Sequence, residues 1–163
     1  MTDMERITKL DLSGPLSFHA EFADGQEVEA NLAGLCARSR HFRVFLEQPE
    51  LFDCFHLVHN GTGIEWDNGL DYSAGALLRL GRAQEDMTGN QFKAWQKALG
   101  LSNTEAADLL GVSLATVKNY HRRNLVPAAV KIACDSFEED ATLVAARFIP
   151  RNRRLAVQKS ASS

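Results

Sequence analysis

The eighteen residues from Asn103 to Tyr120 constrain this chain more than any other stretch. Two helices that cross steeply need a tiny residue where their backbones approach, and Ala107 supplies it. They also need a tight turn, where Gly111 can adopt a positive φ without a Cβ penalty. Val112 can tuck beneath that turn, while Ala106, Leu110, Val117 and Tyr120 fall at offsets that fix the crossing by apolar contact. Ser102 and Glu105 have the spacing of a capping box for the first helix, and Ser113 is a natural cap for the second. The pattern predicts a helix-turn-helix.

Its surroundings also read as helical. Phe92, Trp95 and Leu99 stand at i, i+3 and i+7, in a helix that ends at Leu99, Gly100 and Leu101. Val130, Ala133, Cys134 and Phe137 make another apolar stripe, with Pro127 placed at a first helical position. This half is basic. Residues 86–163 carry eleven Lys and Arg against seven Asp and Glu, net +4, whereas residues 1–85 carry seven against fourteen, net −7. The overall charge of −3 therefore conceals two modules suited to different partners, and the basic one is where a polyanion would bind. Past residue 140 there are five bases and no acid; Arg151, Arg153 and Arg154 there read equally as an arm for DNA or as a solvated terminus.

The acidic half reads as β structure with a core of its own, since six of the nine Phe lie before residue 60. Residues 16–22 alternate apolar and mostly polar side chains, the period of a half-buried strand. Asp24 and Gly25 suit a tight hairpin, which makes residues 26–32 the returning strand with Val28, Ala30 and Leu32 on one face. Residues 6–12 supply a further strand, and residues 36–47 a short helix stopped before Pro49. Asn60 and Gly61 sit between two more strand-like runs, 51–59 and 64–67, as a second hairpin. Ser73 is placed to cap a helix carrying Leu77, Leu78 and Leu80, and the polar stretch 81–89 reads as the linker.

The helical half resembles the DNA-binding domain of the Cro and phage-repressor (Xre-like) family over about residues 91–137. That resemblance implies a lambda-repressor-like bundle of short helices, with residues 113–121 as the recognition helix in the major groove. Carried onto this sequence, it puts Ser113, Ala115, Thr116, Lys118 and Asn119 at base edges or nearby phosphates. Lys can donate to guanine O6 and N7, and Asn can pair with adenine N6 and N7. Ser102, Asn103, His121, Arg122 and Arg123 would then lie along the phosphates. Two positions depart from the family pattern: Asn103 stands where Gln is favoured, and Arg123 where Gly is, so that Asn124 is left to take a left-handed turn. The acidic half is similar to a small bacterial domain of unknown function (number 2442) over about residues 7–78. The likeness lies in Gly14–Leu16, Phe22–Gly25, Pro49–Phe52 and Ile64–Asp71. Members of that group are small α+β units, some fused to a Cro-like domain, and their gene settings suggest antitoxin roles.

Other chemistries find little support. Cys54, His56 and His59 are close in sequence, but on a strand His59 faces away from the other two, so three metal ligands cannot converge. Glu65, Asp67 and Asp71 are candidate acid–base carboxylates, equally well explained by a hairpin end and a loop. No phosphate-cradling glycine loop, HExxH or GxSxG motif occurs. Cys36, Cys54 and Cys134 form no CxxC pair, and no apolar run reaches the roughly 18 residues of a membrane span.

The expectation is an α+β domain over residues 1–85, built of antiparallel hairpins and short helices, followed by an all-α bundle over 86–163. The function expected is sequence-specific binding of double-stranded DNA as a cytoplasmic transcriptional regulator, most simply a repressor. Such a protein would act as a homodimer without metal or other cofactor, away from any membrane. An antitoxin-like or scaffold protein that binds a protein partner through its N-terminal domain is the alternative. An enzyme using the N-terminal carboxylates comes third.

Overall fold

Proline and glycine set the first two turns of the chain. In the computed structural model, which describes residues 5–151, β1 (Ile7–Gly14) and β2 (Ser17–Phe22) pair antiparallel with Gly14 opposite Ser17. That register leaves Pro15 and Leu16 as a two-residue turn, with Leu16 at φ +52°. Gly25, at φ +87°, turns the chain into β3 (Glu27–Asn31), and the sheet order is β1–β2–β3. Alternation then decides the faces: Phe18, Ala20, Phe22, Val28 and Ala30 are buried, and the residues between them are not.

The helix expected over residues 36–47 is two short helices, α1 (Ala33–Arg38) and α2 (Val44–Glu47). Ser39 breaks them: its backbone is extended and its hydroxyl accepts from Phe42 N, the local competition that makes serine a poor interior helix residue. The break lets the rings of Phe42 and Phe45 both reach Trp66, with centroids 5.9 and 5.1 Å away. A second antiparallel sheet follows, β4 (Phe55–Val58), β5 (Gly63–Trp66) and β6 (Asp71–Ser73), in that order. The β4–β5 turn has three successive left-handed residues, His59, Asn60 and Gly61. Gly61 is required there twice over, since a Cβ would also lie 2.1 Å from the Ile7 carbonyl oxygen.

Ser73 caps α3 (Ala74–Gln84), accepting from Ala76 N at 3.1 Å. This helix runs into the stretch expected to be linker. Gly81 lies inside it, buried against β3, where a Cβ would stand 2.0 Å from Val28 Cγ2. Gln84 then pairs with the Asn31 backbone in both directions, at 2.8 and 2.7 Å. Phe18, Phe45, Phe52, Trp66, Ile64 and Leu77 fill the core of this unit, Met1–Glu85. The buried indole of Trp66 donates to Phe52 O at 2.9 Å.

Among its described residues the unit Asp86–Ser163 contains helices and no strand. It comprises α4 (Gly89–Ala98), α5 (Asn103–Leu110), α6 (Leu114–Arg122), α7 (Ala128–Glu139) and α8 (Ala141–Arg147). Pro127 is the N-cap of α7, with ψ 142°, one residue outside the position expected for it. The core gathers Phe92, Trp95, Ala106, Leu109, Val117, Tyr120 and Cys134. Trp95 donates its indole N–H to Cys134 O at 3.0 Å, which ties α4 to α7. The chain as a whole is mixed α and β, with two small antiparallel sheets and eight α-helices among the described residues. None of these helices is long and apolar enough to cross a membrane.

Candidate nucleic-acid interface

Local capping fixes the two helices of the central corner. Ser102 Oγ accepts from Glu105 N at 3.1 Å, and Glu105 Oε1 accepts from Ser102 N at 3.0 Å, a complete capping box at the start of α5. Gly111 closes α5 in the left-handed region, at φ +69°. Nothing lies within 4 Å of the place a Cβ would occupy there, so backbone conformation alone calls for glycine. Val112 N then bonds back to Ala107 O at 3.0 Å. Ser113 caps α6, its Oγ taking Thr116 N at 3.1 Å and lying 2.8 Å from Thr116 Oγ1.

Packing then decides which face of α6 is free. Val117 and Tyr120 are buried, with the Tyr120 ring edge-on to Phe92 at 5.4 Å. The helix packs against both α4 and α5. Ala115, Lys118, Asn119 and Arg122 are exposed on the opposite side, as are Ser113 before the helix and Arg123 after it. Leu114 shares that outward face at 41% exposure, a position the sequence reading passed over. No acidic residue occurs from Ser113 to Arg123, so this face carries positive charge alone.

The sites expected along phosphates divide. Ser102, Arg122 and Arg123 are exposed, whereas Asn103 and His121 are engaged inside the unit. Their partner is Gln96, only 8% exposed. Its Nε2 donates to Leu101 O at 3.0 Å and to Asn103 Oδ1 at 2.8 Å, and its Oε1 lies 2.8 Å from His121 Nε2. Two carbonyl acceptors orient the amide, so His121 Nε2 must be the donor of the third bond. Burial, with a smaller contribution from Lys93, holds the His121 pKa below its ordinary value, which favours the neutral ring. His121 thus braces the end of α6 against α4 and is not turned toward an outside anion. Gln96 had a signal in the sequence: it is a polar residue at i+4 from Phe92, on the apolar side of its helix.

The end of α6 also departs from expectation. Asn124 is not left-handed; among described residues other than glycine, only Leu16, His59 and Asn60 have positive φ. The chain leaves α6 through Arg123 in an extended conformation, and Gly89 N donates to Arg123 O at 3.1 Å. That contact occupies the carbonyl of the residue that ends α6. Arg151 reaches back to α5 and pairs with Asp108 at 2.8 Å, while Arg153 and Arg154 lie outside the described residues.

In the other unit, His56 is 3.8 Å from both Glu65 and Asp67, and Glu65 pairs in register with Asp71. Among the described residues no group of three or more His, Cys, Asp and Glu side chains could hold a metal ion. Cys134 is buried, which pushes its thiol up to about 12, and burial also raises Cys36; Cys54 is exposed.

No protein-family model matches the chain, and no curated protein does. Among solved structures the chain is similar to a protein of Nitrosomonas europaea ATCC 19718 named Putative DNA Binding Protein. The identity is 20% and the TM-score 0.45, over 90% of this chain and 94% of that one.

Proposed function

We propose that α5, the Gly111 turn and α6 form a DNA-reading helix-turn-helix of the Cro and phage-repressor type, and that the protein is a sequence-specific transcriptional regulator. The observation that carries this reading is the division of α6 into two faces. One is locked by Val117, Tyr120 and His121 against α4 and α5, and the other presents Ala115, Lys118 and Asn119 with basic residues at its C-terminal end. A rigid helix with free polar and basic groups suits entry into the major groove.

In this reading Lys118 donates to a guanine edge and Asn119 pairs with an adenine, each contributing about 1–3 kcal/mol of discrimination. Arg122 and Arg123 neutralise phosphates where α6 leaves the groove, and Ser102 donates to the backbone from the start of α5. Ser113 and Thr116 chiefly hold the N-terminus of α6 in shape, because their hydroxyls are engaged in its cap. Asn103 and His121 act through Gln96 as positioning residues. Occupation of a promoter, with repression as the result, follows as the simplest regulatory consequence.

Selection of bound duplexes from a random pool tests the proposal. The intact protein should enrich a defined site, and Lys118→Ala with Asn119→Ala should abolish the enrichment while leaving weak, salt-sensitive binding. A wild-type protein that enriches no sequence would sink the reading and favour a protein partner instead.

A further inference from the structure

The two edges of the first three-stranded sheet differ. At β3 the edge is closed, since Gln84 engages both Asn31 N and Asn31 O and α3 packs along the strand. β1 forms the other edge, and among the described residues no further strand pairs with it. Its start is covered by the β4–β5 turn, which brings Gly61 against Ile7 O. From Thr8 to Gly14 its residues are exposed, apart from half-buried Leu10. The register shifts between Ile7 and Lys9 and again between Leu12 and Gly14, so residues 9–12 are the regular part of this edge. A strand left at an edge presents main-chain donors and acceptors on its open side.

The side chains of this stretch alternate in chemistry. Leu10 and Leu12 stand opposite Ala20 and Phe18, both buried, so they belong to the core face, yet Leu12 is 42% exposed. Lys9 and Asp11 stand opposite Glu21 and His19 on the outer face, which β3 extends with Glu27 and Glu29. Lys9 Nζ lies 3.3 Å from Asp11 and 3.1 Å from Glu21, and His19 Nδ1 lies 2.8 Å from Glu29. One lysine is thus set among four carboxylates, and the outer face is acidic. Beside the start of β1 a cavity of about 360 Å³ opens between Arg6, Ile7 and Thr8 on one side and Leu57, Asn60 and Gly61 on the other, with room for a large side chain of a segment laid along the edge.

We propose that the β1 edge takes up an extended segment of a partner protein as a fourth strand, and that this segment carries apolar residues on one face and Lys or Arg on the other. Main-chain hydrogen bonds to residues 9–12 supply the attachment, and the alternating side chains supply the choice of partner. Neighbouring strands set their side chains directly beside one another. Apolar residues of the added strand therefore come beside Leu10 and Leu12 and cover the core face there. The residue between them comes beside Asp11, where a base meets its carboxylate and the acidic face beyond, and an acid is repelled. The site belongs to the unit Met1–Glu85 alone and stands whether or not α6 reads DNA.

Titration of the full chain with the acetylated, amidated peptide Thr-Val-Lys-Val-Arg-Val-Thr, followed by NMR of the backbone amides, tests the proposal. The peptide should shift the resonances of residues 8–14, slow their amide exchange and approach saturation by about 1 mM. Glu in place of its Lys and Arg should weaken binding at least about tenfold. Asp11→Lys, at an exposed position and with an unchanged circular dichroism spectrum, should reduce that preference to about threefold or less. An added strand uses one of its own two edges, so N-methylation of the three Val residues and N-methylation of the Thr, Lys and Arg residues should differ: one abolishes binding and the other spares it. No binding at about 1 mM, shifts centred away from β1, equal binding of the Glu peptide, a preference untouched by Asp11→Lys, or equal effects of the two methylation patterns would each overturn the inference.

Discussion

Gly89 opens α4 with its backbone against the end of α6, and an alanine there sets helix propensity against packing. Propensity favours the substitution by up to about 1 kcal/mol. Packing opposes it, because the new Cβ would lie 2.6 Å from Tyr120 O, 2.6 Å from Arg123 O and 2.9 Å from His121 O. All three are backbone atoms at the end of one helix, so no flexible side chain can yield. Relief requires α4 to retreat by roughly half an ångström or more. Overpacking of that kind costs about 1–3 kcal/mol, and weakening the 3.1 Å bond from Gly89 N to Arg123 O adds about 0.5–1.5 kcal/mol. After the propensity gain, Gly89→Ala should destabilise this unit by about 1–3 kcal/mol. Native-state hydrogen exchange on the full chain reads this directly, as amide exchange in α4, α5 and α6 about 5- to 150-fold faster. Exchange that is unchanged or slower would refute the claim that α4 and α6 meet backbone to backbone at Gly89.

The depressed pKa of His121 predicts a sign. Its unfolded form takes a proton near pH 6.5, the folded form only at lower pH, so its contribution to stability is complete above pH 6.5 and is lost as pH falls toward the folded pKa. His121→Gln should reduce the loss of stability between pH 7 and pH 5, and an NMR midpoint for His121 at or above 6.5 would contradict this. Gln96→Leu strands Asn103 and His121 together with the Leu101 carbonyl, and should cost about 1–3 kcal/mol in a urea titration; a neutral result would mean that these groups find water instead. Iodoacetamide at pH 8 should label Cys54 in the native protein and spare Cys36 and Cys134, whose thiols are buried and shifted upward; mass spectrometry locates the adduct, and rapid labelling of Cys134 would disprove its burial.

What could be read from the sequence was local. The capping box of Ser102 and Glu105, the caps at Ser73 and Ser113, and the left-handed Gly111 each depend on residues within one turn of the chain, and each is present. The β2–β3 hairpin was equally legible, because a period of two and a glycine turn specify its faces. Features that depend on distant partners were not. Gly81 and Gly89 both read as linker until Val28 is seen beside the first and the carbonyls of α6 beside the second. His121 follows the basic pattern of the residues after it, yet Gln96, twenty-five positions earlier, turns its ring inward. Leu114 has no local signal that sets its face, and only the packing of α6 against two neighbours leaves it outside.

Base reading by the outward face of α6 is the proposal that most needs a direct test. Fluorescence anisotropy of the intact protein with its own upstream DNA and with a scrambled duplex, across a salt series, tests it most directly. Base reading by this face predicts a preference of about 10³-fold or more for the upstream DNA, lost in the variant carrying Lys118→Ala and Asn119→Ala. Equal affinity for both duplexes, fading together as salt rises, would contradict it and leave only a basic surface meeting phosphates.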